Sequence, residues 1–431
     1  MSSHAPTLPL GPDATVVDLP GEADPGPATL SNAATLIAHD RGAPGDTLLG
    51  VTGNHRSTVL PRLELVGDIP QLISDNRLRF EEKDLLGRGG VGEVLLAHDN
   101  DIERAVAVKR LLPDLQRPAM VGRFVEEIRT LGRLDHPNIV PIHDVGTDAD
   151  GRFYYVMKYV EGETLEGIIE KLAAGDAESH RKYTFERRLE IFQGILRALQ
   201  YAHAQGIIHR DLKPANVMVG RFGEVMLMDW GLARRIRDDA QPVLIADSQG
   251  RPSQSPESPK LRTMVGAVLG TPAYMSPEQA QGLTDKIDER SDIYALCVMF
   301  HELMGLRHYL HDMQTVTETL AAVVSREVPN VREFQHPAQP PVPAEYGWFV
   351  THGVAKDPAK RYRSITEMIA RIQAIEEGKI PVECMHTMMK RMSCEMAKGV
   401  DKSAPTMLVG VLTVLVMGAF GLAALVWALS H

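Results

Sequence analysis

Hydrophobic and polar positions change texture several times along the chain. Residues 1–75 carry only scattered short apolar pairs among Pro, Gly, Ala, Thr and Asp. Such a segment cannot bury enough surface to offset its ordering entropy, and a disordered leader is expected there. From about Arg79 the pattern becomes regular. LRFEEKDLLG and GEVLLAHD read as strands joined by glycines, and AVAVKRLL as a third strand of β-branched character. MVGRFVEEIRTLGRL has helical spacing and stops at the turn DHPN. NIVPIHDVG and FYYVMKYV are two further strand candidates. After Gly162 the pattern turns helical, in LEGIIEKL, ERRLEIFQGILRALQYAHAQG, SDIYALCVMFHELMG and SITEMIARIQAIEEG. The expected fold class is α+β, with a β-rich part over 76–160 and a helical part over 161–376. A Ser/Pro/Asp-rich tract at 236–262 interrupts the second part as a loop insertion, and no internal repeat is visible.

The run Met407 to Leu429, MLVGVLTVLVMGAFGLAALVWAL, contains no charge, and Thr413 is its one polar side chain. As a helix it would extend roughly 34 Å, enough for a hydrocarbon core of about 30 Å. A buried core helix is the competing reading, but core helices are usually shorter and amphipathic. Residues 377–406 then form a juxtamembrane linker. Lys390, Arg391, Lys398 and Lys402 precede the run and no Lys or Arg follows it. This bias predicts a single-pass protein whose residues 1–400 face the cytoplasm. Trp427 suits an interfacial anchor, and Ala419 with Ala423 makes a small-xxx-small pair on which a transient homodimer could form. Residues 1–30 lack the basic start and apolar run of a secretory signal. Three cysteines, Cys297, Cys384 and Cys394, read as reduced thiols. The net charge of −10 argues against general binding to nucleic acid.

Candidate chemistry concentrates between residues 87 and 229. Gly87, Gly89 and Gly92 form GxGxxG with Val94 two positions on. A dinucleotide site would need a helix directly after the glycines. Here they lead into two β-type runs, so a hairpin folded over phosphates is expected, with glycine admitting the anionic oxygens closely. Lys109 ends an apolar strand and can reach α- and β-phosphates. Its anionic partner is Glu127 or the neighbouring Glu126, and the register to His136 implied by the resemblance given below selects Glu127. In IIHRDLKPANVMV, Asp211 can orient a substrate hydroxyl and accept its proton, Lys213 can steady the transferred phosphoryl, and Asn216 can offer an amide oxygen to Mg²⁺. Asp229, in MDWG after the apolar EVMLM, supplies a second hard oxygen ligand.

These strings resemble the eukaryotic-type protein kinase family, in its branch of bacterial Ser/Thr kinases, from about Arg79 to Ile375. The resemblance extends to Gly270-Thr-Pro-Ala-Tyr-Met-Ser-Pro-Glu278, to Asp292 in SDIYAL and to Arg361 in KDPAKRYRS. It implies two lobes around a cleft for ATP and Mg²⁺, protein substrates, and a nucleotide pocket that includes Val94, Ala107, Met157, Tyr159, Val160 and Met218. Met157 would be the gatekeeper, and the Lys158–Val160 backbone would bind adenine. Glu278 and Arg361 would form a structural ion pair, and Asp292 would brace the catalytic loop. Arg210 precedes Asp211, the arrangement in which a phosphorylated loop residue pairs with arginine. Thr263 is the expected site, with Ser258 and other insertion serines as alternatives.

Three departures stand out. Trp230 replaces the usual Phe, and its indole N–H needs a partner when buried. Cys297 stands where glycine is frequent, and local repacking is expected. The segment from Asp229 to Glu278 is about twenty residues longer than is common, which the insertion explains. The expected function is phosphoryl transfer from ATP to protein Ser or Thr, in membrane-associated signalling. A nucleotide-binding pseudokinase scaffold is the alternative, against which Lys109, Asp211, Asn216 and Asp229 are all present. A small-molecule kinase fits the GTPAYMSPE segment less well.

Overall fold

The computed structural model describes residues 57–66, 69–73, 77–235, 271–379, 382 and 385–395. Strands β1 (Arg62–Val66) and β2 (Ile69–Ile73) pair antiparallel as a ribbon before the main sheet. A disordered leader reaching residue 75 is therefore corrected over 62–66 and 69–73. Its alternation of apolar and polar residues is too short to stand out from its Pro- and Gly-rich surroundings.

The main sheet contains β3 (Phe80–Arg88), β4 (Gly92–Asp99), β5 (Arg104–Leu111), β6 (Ile142–Thr147) and β7 (Phe153–Lys158). Its order is β3-β4-β5-β7-β6, and every pairing is antiparallel. Alternation gives it two different faces. Val106, Val108 and Val156 pack with Ala97 on one side, while Ala107, Leu111, Tyr155 and Met157 join the principal core on the other. Helix α1 (Pro118–Leu131) starts with Pro at its first position and covers this second face. Phe124, Glu127 and Leu131 recur along its buried side, and the Phe124 ring lies 5.5 Å from Tyr155.

The chain then passes through β8 (Gly162–Thr164) into the helical part: α2 (Leu165–Ala173), α3 (Ala177–Lys182) and α4 (Phe185–Ala204). Thr164, Asp176 and Thr184 cap these three helices by accepting backbone N–H groups. Short strands β9 (Ile207–Ile208), β10 (Val217–Gly220), β11 (Val225–Leu227) and β12 (Arg234–Arg235) follow. Order β11-β10-β8 brings the catalytic-loop segment beside the start of α2. The remaining helices are α5 (Pro277–Ala280), α6 (Glu289–Gly305), α7 (Val316–Ser325), α8 (Ala344–Gly353) and α9 (Ile365–Glu376). Helix α6 is apolar almost all round and correspondingly buried on nearly every side, with Phe300 stacked on Phe192 of α4 at 4.1 Å.

A further helix occupies 385–395, inside the stretch expected to be a linker. Its Met, Lys, Arg and Glu residues are good helix formers even without an apolar stripe turned to the core. Among the described residues no helix is long and apolar enough to cross a membrane. The 407–429 run, the 236–262 insertion and Thr263 lie outside the described residues.

Candidate active site

The glycine hairpin between β3 and β4 sits directly over Lys109. A Cβ added at Gly92 would fall 2.7 Å from the Arg110 carbonyl oxygen, so only glycine permits this approach. Gly87 faces open space, and Gly89 closes the turn by donating its N–H to the Gly92 carbonyl at 2.8 Å. Val94 pairs opposite Lys109 across β4 and β5, and Ala107 opposite Met157 across β5 and β7. Val94, Ala107 and Met157 therefore lie on the face that carries Lys109. Tyr159 packs against the same core, Val160 is buried in the link from β7 to β8, and Met218 is half-buried on β10.

Lys109 Nζ donates to Glu127 Oε1 at 2.6 Å and to Asp229 Oδ1 at 3.1 Å. Helical phase explains the choice between neighbouring glutamates. Glu127 shares the inward side with Phe124 and Leu131, whereas Glu126 is exposed and pairs with Arg129 at 2.8 Å. Tyr155, opposite Lys109 in the sheet, donates its hydroxyl to Glu127 Oε1 at 2.7 Å. Burial alone would lower the Lys109 ammonium, but Tyr155, Glu127 and Asp229 together hold it well above its ordinary value. The Asp229 carboxyl is displaced the other way. Burial pushes it up, and the adjacent Lys109 more than offsets this, so it stays below its ordinary value.

The catalytic loop is held by its backbone. Asp292 Oδ2 accepts the His209 N–H at 2.8 Å and Oδ1 accepts the Arg210 N–H at 2.9 Å. Burial would raise the Asp292 carboxyl, but its hydrogen bond with His203 and the neighbouring His209 hold it below its ordinary value. Gln279 Nε2 donates to the Arg210 carbonyl at 2.9 Å, gripping the same residue from α5. Both grips act on a strained point, because Arg210 has φ of 69° and Asp229 of 58°, left-handed values uncommon for non-glycine residues.

Asp211 is ringed by donors. Lys213 Nζ reaches its Oδ2 at 2.9 Å, and the Thr271 N–H reaches its Oδ1 at 3.2 Å. Asn216 donates through Nδ2 to the Asp211 carbonyl at 2.8 Å, which leaves the Asn216 amide oxygen as the end available to a cation. Asp229 is bonded to Lys109 through Oδ1 and its side chain is 44% exposed. An amide oxygen and a carboxylate are the hard ligands that suit Mg²⁺. No cluster of three or more His, Cys, Asp or Glu able to hold a metal occurs among the described residues. A cation here would therefore draw further ligands from phosphate and water, as Mg²⁺ in nucleotide sites does.

The supporting contacts expected from the sequence are in place. Arg361 donates to both Glu278 oxygens, at 2.8 and 2.9 Å, in a buried bidentate pair. Trp230 fills a fully buried pocket with its ring 4.6 Å from His209, yet its Nε1 finds no acceptor among the described residues. Tyr155 and Gln279 were not singled out from the sequence. Tyr155 lies two residues before Met157 on one strand, so strand alternation alone puts both on one face. Gln279 offered no signal beyond its position next to Glu278.

The protein kinase domain family matches residues 80–371. The chain is 37% identical over 305 residues to a probable serine/threonine-protein kinase of Streptomyces coelicolor, covering 70% of this chain and 40% of that protein. It is 35% identical over 309 residues to serine/threonine-protein kinase PknD of Protochlamydia amoebophila, covering 70% and 30% respectively. Serine/threonine-protein kinase PknB of Mycobacterium tuberculosis is 34% identical over 326 residues, covering 72% and 45%. The chain thus spans less than half the length of each of these relatives.

Proposed function

Since the chain belongs to the protein kinase family, we propose that it transfers the γ-phosphoryl group of ATP to Ser or Thr hydroxyls of proteins, itself included. The observation that carries this is the convergence of Lys109, Glu127 and Asp229 within 3.1 Å contacts, with Asn216 of the catalytic loop tied to the residue before Asp229 by the Met228 N–H at 2.9 Å. In this reading Lys109, oriented by Glu127, binds the α- and β-phosphates. Val94, Ala107, Met157, Tyr159, Val160 and Met218 line the adenine pocket, and Gly87, Gly89 and Gly92 cover the phosphates. Asp211 orients the substrate hydroxyl and takes its proton, while Lys213 steadies the moving phosphoryl. Asn216 and Asp229 would hold Mg²⁺, which neutralises charge on the phosphate oxygens when bound. Most of the acceleration then comes from positioning and charge neutralisation.

The same reading puts the catalytic part on the cytoplasmic side of a membrane, anchored by 407–429 and signalling to protein substrates there. Transient pairing of two copies would allow phosphorylation in trans, with phospho-Thr263 pairing with Arg210. The deciding experiment measures phosphate transfer from labelled ATP to a generic basic protein, beside a panel of small-molecule acceptors. Wild type should label the protein and itself, and Asp211→Asn, folded by circular dichroism, should not. Transfer at the wild-type rate by Asp211→Asn would refute the assignment. Phosphosite mapping that finds Thr263 unmodified in active enzyme would remove the regulatory part alone. Carbonate-washed membrane fractions tell whether the chain is anchored.

A further inference from the structure

The helix at 385–395 is mounted with a polar side inward. Thr387 is buried and Cys394 half-buried, and Lys390 donates to Glu345, a buried residue at the start of α8. At about 100° per residue, Thr387 and Cys394 share one side of the helix, while Met385, Met389 and Met392 form a stripe on the opposite side. These three methionines are 66%, 59% and 52% exposed. A surface helix ordinarily turns such an i, i+4, i+7 stripe towards the core. Here the stripe faces away from the protein, and methionine adapts readily to an irregular apolar surface.

Two features of the chain indicate what covers it. Residues 396–406 alone separate the helix from the apolar run at 407–429, a connection that reaches at most roughly 40 Å. With that run in a bilayer, the stripe cannot leave the neighbourhood of the membrane surface. On the helix Lys390 is paired with Glu345 and Arg391 with Glu395, so the excess charge that anionic headgroups attract comes from Lys398 and Lys402 against Asp401 in the residues that follow. We propose that the 385–395 helix lies in the interface of an anionic membrane, with Met385, Met389 and Met392 among the acyl chains. Through Lys390 and Glu345 it then holds the helical lobe against the bilayer instead of leaving it on a free tether. This inference rests on reading 407–429 as a membrane span.

The test uses the full chain in nanodiscs of phosphatidylcholine and phosphatidylglycerol, in a Cys384→Ser, Cys394→Ser background. A fluorophore is placed in turn at Met385→Cys, Met389→Cys and Met392→Cys, at His386→Cys beside the stripe, at Glu81→Cys on the exposed side of β3, and at Leu415→Cys within the span. Quenchers carried at shallow depth in the lipid should dim the three stripe labels severalfold more than those at 386 and 81. Replacing phosphatidylglycerol with phosphatidylcholine should weaken that quenching. Stripe labels no more quenched than the Glu81→Cys label, beside a deeply quenched Leu415→Cys label, would overturn the interfacial helix and leave the span standing. An unquenched Leu415→Cys label would remove both. Cross-linking of Met389→Cys between two copies without lipid quenching would assign the stripe to a second copy and overturn the proposal.

Discussion

The thiol of Cys297 in α6 occupies the room that a side chain on Gly353 of α8 would need. A Cβ built on Gly353 collides with Cys297 Sγ and also meets the Tyr362 ring at 3.5 Å. The cysteine that departs from the family's usual glycine is thus accommodated by a glycine on the facing helix. Burial pushes this thiol well above its ordinary range, so it acts as packing and not as a nucleophile. Gly353→Ala should lower stability by about 1–3 kcal/mol. In a Cys297→Ala background the cost should shrink, since the colliding atom is gone. A double-mutant cycle in denaturant reads this coupling, and additive effects would contradict it.

Breaking the Glu278–Arg361 pair should cost more than losing an exposed pair. Both side chains are almost fully enclosed, and Arg361 also bonds the Ala355, Lys356 and Arg290 carbonyls. Glu278→Gln leaves a buried guanidinium without its counter-ion, and a loss of roughly 3–5 kcal/mol is expected. Burial would raise the Glu278 carboxyl, but Arg361 outweighs it and holds it below the ordinary value. The contribution is therefore present above the unfolded-state pKa, about 4.3, and is lost as pH falls from there through the lower folded value. The stability gap between wild type and Glu278→Gln should be constant above about pH 5.5 and close on acidification.

Adjacent glutamates in α1 should behave oppositely. Glu127→Gln weakens the charge that orients Lys109 and should reduce kcat/KM for ATP by at least about tenfold. Glu126→Gln removes an exposed helix pair worth a few tenths of a kcal/mol and should leave turnover unchanged. Tyr155→Phe, which removes the hydroxyl bonded to Glu127, should fall between them. Equal effects of Glu126→Gln and Glu127→Gln would show that Lys109 is not oriented by the buried glutamate.

Glu302 of α6 accepts the Tyr274 hydroxyl, from the Pro272–Tyr274 turn, at 2.5 Å. Burial raises its carboxyl to about 7, against the opposing Tyr274 hydrogen bond and with help from Glu166. The folded protein therefore holds this proton more tightly than the unfolded chain. The resulting stability is complete below the unfolded pKa of about 4.3 and is lost as pH rises through about 7. Glu302→Gln cannot ionise, so its stability relative to wild type should increase from pH 5 to pH 8. A flat difference across that range would rule out the titration.

The sequence by itself determined that a β-rich part precedes a helical one, the positions of α1, α2, α4, α6 and α9, and the main chemical groups. Lys109, Asp211, Asn216 and Asp229 lie in short strings whose residue types and spacing already state a chemistry. Strand and helix periods in the two lobes also show which side of α1 and of the main sheet strands turns inward. Tertiary structure alone decided which distant side chains share a pocket. Tyr155 meets Glu127 because α1 lies on one face of the sheet, and Gln279 grips Arg210 because α5 reaches the catalytic loop. Cys297 fits because Gly353 faces it across two helices. The outward Met385, Met389 and Met392 stripe likewise appears only once the docked side of its helix is known. Periodicity reports on neighbours three or four residues apart, whereas each of these relationships is set by packing between segments that the sequence keeps far apart.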